Sequence, residues 1–318
     1  MTAPSATSIT ARPLHGMTDV MAVRTFLART YAGSRHTTNW EIRRWEGRYW
    51  HEDPSDLAEV LTEPQSNVRI WERDGAIVGV AHPEGRGDVH LEIDPDHREL
   101  ESAMIDWAEN VLAVSENGSS NLTTFVAADD TLRSSMLHER GYEPRSWGEI
   151  HRRAELTADL RPDRVDGAYT IRSIVRGDPG DAAGLADVIN AAFGHDFGPD
   201  ALLNFERSPS FDADLQIVAT DGTGTIVAHS GVTLDTHNRL AIVEPVCTHP
   251  DHRRRGLASA TMAEGLNRSR IKGAVHATVS TGWENPSNRV YAGLGFTGVT
   301  RITAWTRTWE RSTGTTPA

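Results

Sequence analysis

The residues best suited to chemistry cluster between positions 244 and 296. A strand-like segment, Leu240–Thr248, leads into a turn, His249-Pro250-Asp251-His252, and then into Arg253-Arg254-Arg255-Gly256-Leu257-Ala258. Beyond the turn, Ala258, Met262 and Leu266 recur at i, i+4 and i+8, which predicts a helix opening at this point. The first turn of a helix has unpaired N–H groups and a partial positive charge, so it can hold a phosphate anion. Gly256 leaves room for a pyrophosphate, and the neighbouring arginines add charge. Downstream, Asn285-Pro286 predicts a helix start with Asn285 as N-cap, and Gly295-Phe296 predicts its end. Tyr291 lies on this helix, with a phenol that could give up a proton.

The pattern Arg-x-x-Gly-x-Ala after a strand and turn resembles the acyl-CoA pyrophosphate loop of the GNAT superfamily of N-acetyltransferases. The string Asn-Pro-x-Asn-x-x-Tyr-x-x-Leu-Gly-Phe, from Asn285 to Phe296, resembles that family's second signature. Two motifs in the expected order, about 35 residues apart, are far more specific than either alone. The resemblance implies acetyl-CoA as co-substrate and no metal. It implies that the backbone of Val246, Cys247 and Thr248 bonds the pantetheine amides. It assigns the pyrophosphate to Arg253, Arg254, Arg255, Gly256, Leu257, Ala258 and Ser259, and the cofactor arm to Asn285 and Asn288. Tyr291 takes the place of the general acid.

Glu244 is the candidate base. Pro245 has no N–H to give a strand ladder, so a bulge or a local loss of pairing is expected there. Strand alternation puts Glu244 on the same face as Ile242 and Val246. A carboxylate half-buried at such a break would have a raised proton affinity, suited to taking a proton from a substrate ammonium. The competing reading is a glutamate bonded to nearby backbone at the bulge. Cys247 reads as a small buried residue rather than a nucleophile, because no histidine partner is placed for it. His249 and His252 lack a third ligand at metal spacing and read as turn residues. The aromatic run Asn39–Trp50 (NWEIRRWEGRYW) reads as core or domain interface, with a substrate cavity as the alternative.

The elements that position these residues occur twice. Asp94-Pro95-Asp96-His97-Arg98 aligns with His249–Arg253 at an offset of 155, and Gly141-Tyr142 aligns with Gly295-Phe296 at 154. A shared offset of this size indicates two tandem domains rather than a solenoid. The first copy has Glu101 opposite Gly256 and Leu137 opposite Tyr291. A carboxylate repels a pyrophosphate and a leucine carries no proton, so this copy keeps the fold and lacks the site. The expected organisation is a flexible leader over 1–14, a degenerate GNAT-like domain over 15–155, a polar linker over 156–168, a catalytic GNAT domain over 169–310 and a tail over 311–318. The fold class is mixed α/β with helices on both faces of largely antiparallel sheets. The tandem layout resembles that of the mycothiol synthases.

Composition narrows the function classes. A chain of 318 residues accommodates two domains of ordinary size. The net charge of −12 and the lack of a basic, aromatic-interleaved stripe argue against nucleic acid and permit a cationic acceptor. No run of about 18 apolar residues predicts a membrane span. The single cysteine excludes an internal disulfide and fits a reducing cytoplasm. The resulting expectation is direct acetyl transfer from acetyl-CoA to a primary amine of a small molecule. The alternatives are a mycothiol-synthase-type acetyltransferase, an antibiotic or polyamine acetyltransferase, and a non-catalytic acyl-CoA-binding module. Nothing in the sequence sets an oligomeric state.

Overall fold

The two halves of the chain run through one element order, and the segments then sort themselves into two interleaved units. The computed structural model describes residues 9–31, 38–53, 57, 61, 65–116, 118–161, 165 and 167–310. The first half runs β1 (Thr10–Leu14), α1 (Gly16–Tyr31), α2 (Ile42–Trp50), β2 (Gln65–Arg73), β3 (Ala76–His82) and β4 (His90–Ile93), then α3 (Glu101–Val111), β5 (Val114–Glu116), β6 (Ser119–Ala127), α4 (Thr131–Glu139) and β7 (Glu143–Glu155). The second runs β8 (Thr170–Ser173), α5 (Pro179–Phe193), α6 (Pro199–Phe205), β9 (Gln216–Thr220), β10 (Ile226–Asp235) and β11 (Leu240–Thr248), then α7 (Leu257–Ile271), β12 (His276–Gly282), α8 (Asn288–Gly293) and β13 (Gly298–Glu310). Apart from the short β5, the second list repeats the first.

Unit 1 comprises Met1–Trp40, Val60–Glu149 and Arg301–Ala318. Its strands β1 to β4 form an antiparallel meander. Its β6 pairs antiparallel with the C-terminal strand, from Ala127↔Ile302 to Ser119↔Glu310. One face of α3 (Met104, Ile105, Ala108) packs with Leu91, Ile93, Leu122, Leu137 and Tyr142 into one core. The five residues Thr10–Leu14, expected as the end of a loose leader, are a paired strand with Leu14 buried. Burial deepens along the strand, from exposed Thr10 and Ala11 to buried Leu14. The rest of that leader before residue 9, the tail 311–318 and positions 162–164 and 166 of the expected linker lie outside the described residues.

Unit 2 comprises Glu41–Glu59 and Ile150–Thr300. Strands β8 to β11 run antiparallel in the order β11-β10-β9-β8, and β12 joins β11 in parallel. Helix α5 starts on the Asp178 carboxylate, which accepts from the Asp181 N–H, with Pro179 at its first position; it ends on left-handed Gly194. Helix α7 buries Met262, Ala263 and Leu266 against Val232, Ala241 and Val243 of the sheet, and Leu257 against Ala219, Val227 and Ala228. Trp45 and Tyr49 of α2 are buried in this unit, and Trp40 is buried in unit 1, in keeping with the reading of the aromatic run as core.

Candidate acyl-transfer site

The site grows from a place where a strand loses its neighbour. On one side β11 stays paired to β10 as far as Ala228↔Thr248. On the other, its parallel pairing with β12 covers only Leu240↔His276, Ala241↔Ala277 and Ile242↔Thr278. Beyond Ile242 the edge of β11 facing β12 has no ladder partner among the described residues. Backbone groups of Val246–Thr248 on that edge can therefore pair with an extended amide-bearing chain. Expected irregularity at Pro245 is present: the β10–β11 register shifts between Ser230 and Val232, opposite a cis Glu244–Pro245 peptide. Close approach there requires Gly231, since a Cβ at that position would lie 2.6 Å from the Glu244 carbonyl oxygen.

From Thr248 the chain turns through a 3₁₀ segment, Pro250–His252, into the arginine–glycine loop. The histidines shape this turn: the His249 side chain accepts from the Asp251 N–H at 3.3 Å, and His252 Nδ1 lies 3.0 Å from the Tyr169 hydroxyl. Arg254 (φ 66°) and Gly256 (φ 78°) are both left-handed. The first helical bond of α7 runs from the Ala260 N–H to the Gly256 carbonyl, so the N–H groups of Leu257, Ala258 and Ser259 precede the ladder. A Cβ on Gly256 would meet no atom within 4 Å, so the glycine serves the backbone turn and keeps the space before the helix open. The three arginines differ. Arg253 points back to the carbonyls of Thr248 (3.3 Å) and Ala192 (3.5 Å) and braces the loop. Arg255 leans over the Tyr169 ring at 6.0 Å, and Arg254 is exposed.

Tyr291 on α8 is 4 % exposed and packs near Phe296 and Leu294. Burial pushes its phenol pKa up, against a hydrogen bond with the Ser287 side chain, so the O–H stays protonated. The helix begins later than the motif suggests. Ser287, not Asn285, is its N-cap, because Asn285 first closes a turn in which its side chain accepts from the Ser287 N–H at 3.0 Å. Asn288 donates to the carbonyls of Gly282, Trp283 and Asn285 and accepts from Arg152 Nε at 2.8 Å. Both asparagines thus hold the β12–α8 loop in shape.

Glu244 is half-buried, and it has a second carboxylate beside it. Glu41, the residue before α2, is pushed up to about 7 by burial first and then by the charge of Glu244, with Arg44 pulling the other way. Sequence reading missed Glu41. Its only signal was an acidic residue inside an aromatic run. Cys247 is buried and its thiol is pushed up to about 12, so it carries no thiolate at neutral pH. No group of three metal-ligating side chains occurs among the described residues.

Residues 184–296, spanning α5 to Phe296, match the model of the Acetyltransferase (GNAT) family. The chain carries a GNAT acetyltransferase domain. Solved structures extend the likeness to both halves. A GCN5-related N-acetyltransferase from Sphaerobacter thermophilus superposes with a TM-score of 0.64 at 16% identity, covering 94% of this chain and 95% of the other. A tandem GNAT protein from the clavulanic acid biosynthesis pathway gives 0.59 at 16%, covering 95% and 98%. A GNAT acetyltransferase from Colwellia psychrerythraea gives 0.56 at 12%, covering 93% and 99%. No curated protein matches the chain. The fold is therefore the tandem GNAT arrangement of mixed α/β halves. No helix is long and apolar enough to cross a membrane among the described residues.

The other GNAT-like unit has the same break in its sheet, filled from within. In unit 1, the one bridge between the β4 stretch and β6 among the described residues is Asp88↔Thr123, two residues before β4 begins. Past it, the Arg133 guanidinium donates to the Leu91 carbonyl on β4 and the Phe125 carbonyl on β6, both at 3.3 Å, and to Thr38 Oγ1 at 2.9 Å. Its Nε donates to Glu101 at 2.8 Å, while Arg98 bridges Glu101 and Asp130. Arg133 is 0 % exposed.

Proposed function

We propose that the chain is an acetyl-CoA-dependent N-acetyltransferase that transfers the acetyl group directly to a primary amine of a small molecule. One observation carries the reading: β11 leaves its parallel partner at Ile242, two residues before Glu244, and then runs unpartnered on that side into the loop that ends in left-handed Gly256. That single stretch offers backbone amides for a pantetheine arm, helix N–H groups for a pyrophosphate, and a carboxylate for an amine. The motif match over 184–296 supports the same reading.

In the proposed reaction the Glu244 carboxylate takes a proton from the acceptor ammonium, directly or through one water. The freed nitrogen lone pair attacks the thioester carbonyl carbon and a C–N bond forms. The tetrahedral adduct collapses and the C–S bond breaks; the Tyr291 O–H gives its proton to the leaving thiolate, and the second nitrogen proton passes, directly or through water, to the phenolate, so that a neutral amide and a thiol leave. A thiol pKa near ~8.5, by analogy with cysteine, makes this leaving group fairly stable, so the phenol supplies modest help. Val246–Thr248 orient the cofactor arm; Leu257, Ala258 and Ser259 offer N–H groups to the pyrophosphate, with Arg254 and Arg255 near it. Arg253, Asn285 and Asn288 act by holding the two loops. We place the protein in a reducing cytoplasm, on the strength of one buried reduced cysteine.

The test is a screen of primary amines with acetyl-CoA, read as thiol release. At least one amine should raise release well above acetyl-CoA hydrolysis. If acetyl-CoA binds but no amine is acetylated, the chain is an acyl-CoA-binding module and the proposed reaction falls.

A further inference from the structure

The α2 segment brings a second feature to unit 2 besides Glu41. Arg43 is 5 % exposed. Its guanidinium lies 4.0 Å over the Phe205 ring, on which His51 also stacks at 4.6 Å, and its Nε has no hydrogen-bond partner among the described residues. Glu46, one turn along α2, accepts from the Ser210 N–H with one oxygen and the Ser210 hydroxyl with the other. On β10, His229 is 2 % exposed and neither ring nitrogen has a partner among the described residues. His229 pairs across the sheet with Cys247, on the stretch of β11 that follows Glu244.

Unpartnered polar atoms at this depth are costly, and an unpartnered charge more so. A buried water would satisfy the imidazole, yet it would give the guanidinium no counter-charge, and none pairs with it among the described residues. The groups also sense each other: burial first, and then the charge of Arg43, push the His229 pKa down to about 3. The imidazole is therefore neutral and has one N–H to donate. Two residues before Arg43, about 3 Å along a helix axis, stands Glu41 beside Glu244. One end of this layer suits an ammonium and the other suits an anion.

We propose that the acceptor is an amine that also carries an anionic group, a carboxylate or a phosphate, with Arg43 and His229 holding the anion while Glu41 and Glu244 face the ammonium. This rests on the acetyl-transfer reading for the amine end and stands apart from it for the anion end. Arg43 offers a planar donor fork, and His229 adds one neutral N–H.

Two measurements test it. Acceptors are compared in matched pairs: isobutylamine against valine, and ethanolamine against O-phosphoethanolamine. The anionic member should have a kcat/KM at least about tenfold higher, and Arg43→Gln should erase that preference while leaving the rate on the uncharged partner close to native. Which pair shows the larger ratio tells carboxylate from phosphate. Independently, inorganic phosphate or acetate should raise the melting temperature of the native chain and not that of Arg43→Gln. Should Arg43→Gln fail to fold, His229→Asn carries both measurements. Equal rates within both pairs, with no rise in melting temperature, overturn the anion site while leaving acetyl transfer standing. A rise that needs Arg43, with no amine acetylated, keeps the anion site and removes the acetyl-transfer reading.

Discussion

Each unit has a sheet whose parallel neighbours part company, and the two breaks are treated in opposite ways. In unit 2 the edge of β11 from Val246 to Thr248 that lies on the β12 side faces no strand among the described residues, and α7 begins on a glycine at φ 78°. In unit 1 a guanidinium spans the break and bonds a carbonyl on each side, and α3 begins on Glu101 at φ −57°. Glu101 does more than repel an anion. Its carboxylate is turned inward to Arg98 and Arg133, so the helix start that could hold a pyrophosphate anchors an internal ion network instead. A buried arginine with carbonyl and carboxylate partners performs in unit 1 the stitching role that a bound amide chain is proposed to perform in unit 2. One fold thus yields a rigid scaffold or a ligand slot, depending on whether the chain supplies its own filler.

The largest expected effect tests that contrast directly. Calorimetry should find one equivalent of acetyl-CoA bound to the native chain, and Gly256→Glu, which copies Glu101 into unit 2, should abolish that binding. The reverse change, Glu101→Gly, should create no second site, because Arg133 still occupies the break. Two equivalents bound by the native chain would collapse the contrast. Next, Glu244→Gln should lower turnover about 10²–10⁴-fold with acetyl-CoA affinity nearly unchanged; a loss of affinity instead would assign Glu244 to holding the strand break.

Arg133→Met should cost unit 1 about 3–5 kcal/mol in urea unfolding, since Glu101 loses a buried counter-charge. The same network sets an acid limit. Burial alone would raise the Glu101 pKa, but Arg133 and then Arg98 outweigh it and hold the group below its ordinary value of 4.5. A depressed carboxylate contributes stability above its unfolded pKa and loses it as pH falls through the folded one. Native stability should therefore drop below pH ~4.5, and Arg133→Met should flatten that drop. Tyr291→Phe keeps ring and packing and should lower turnover about 10²-fold, less with an acyl donor whose thiol is more acidic. Equal defects for both donors would make Tyr291 a positioning residue. The smallest effect belongs to Glu41→Gln. Glu41 titrates near 7, so the native kcat/KM should carry a limb rising through that pH, and the variant should lose the limb while keeping most of its rate at high pH.

The sequence alone determined whatever depends on neighbours along the chain. The strand, turn and helix around Gly256, the disturbance at Pro245, the helix bearing Tyr291 and the doubled element order were all legible, because turn chemistry and apolar periodicity are local. Even there, the start of α8 moved to Ser287, since two possible caps lay within one turn and loop bonding chose between them. Tertiary structure alone decided which segments share a unit. Glu41 precedes Glu244 by 203 residues and Arg43 precedes His229 by 186, and nothing in NWEIRRWEGRYW marks it as part of the other half's unit. Only the fold placed the Arg133 guanidinium between two strands. Thr10–Leu14 read as leader until β2 gave it a partner. Strand pairing and the fate of a buried charge depend on groups distant in sequence, whose effect is felt only after the chain has brought them together.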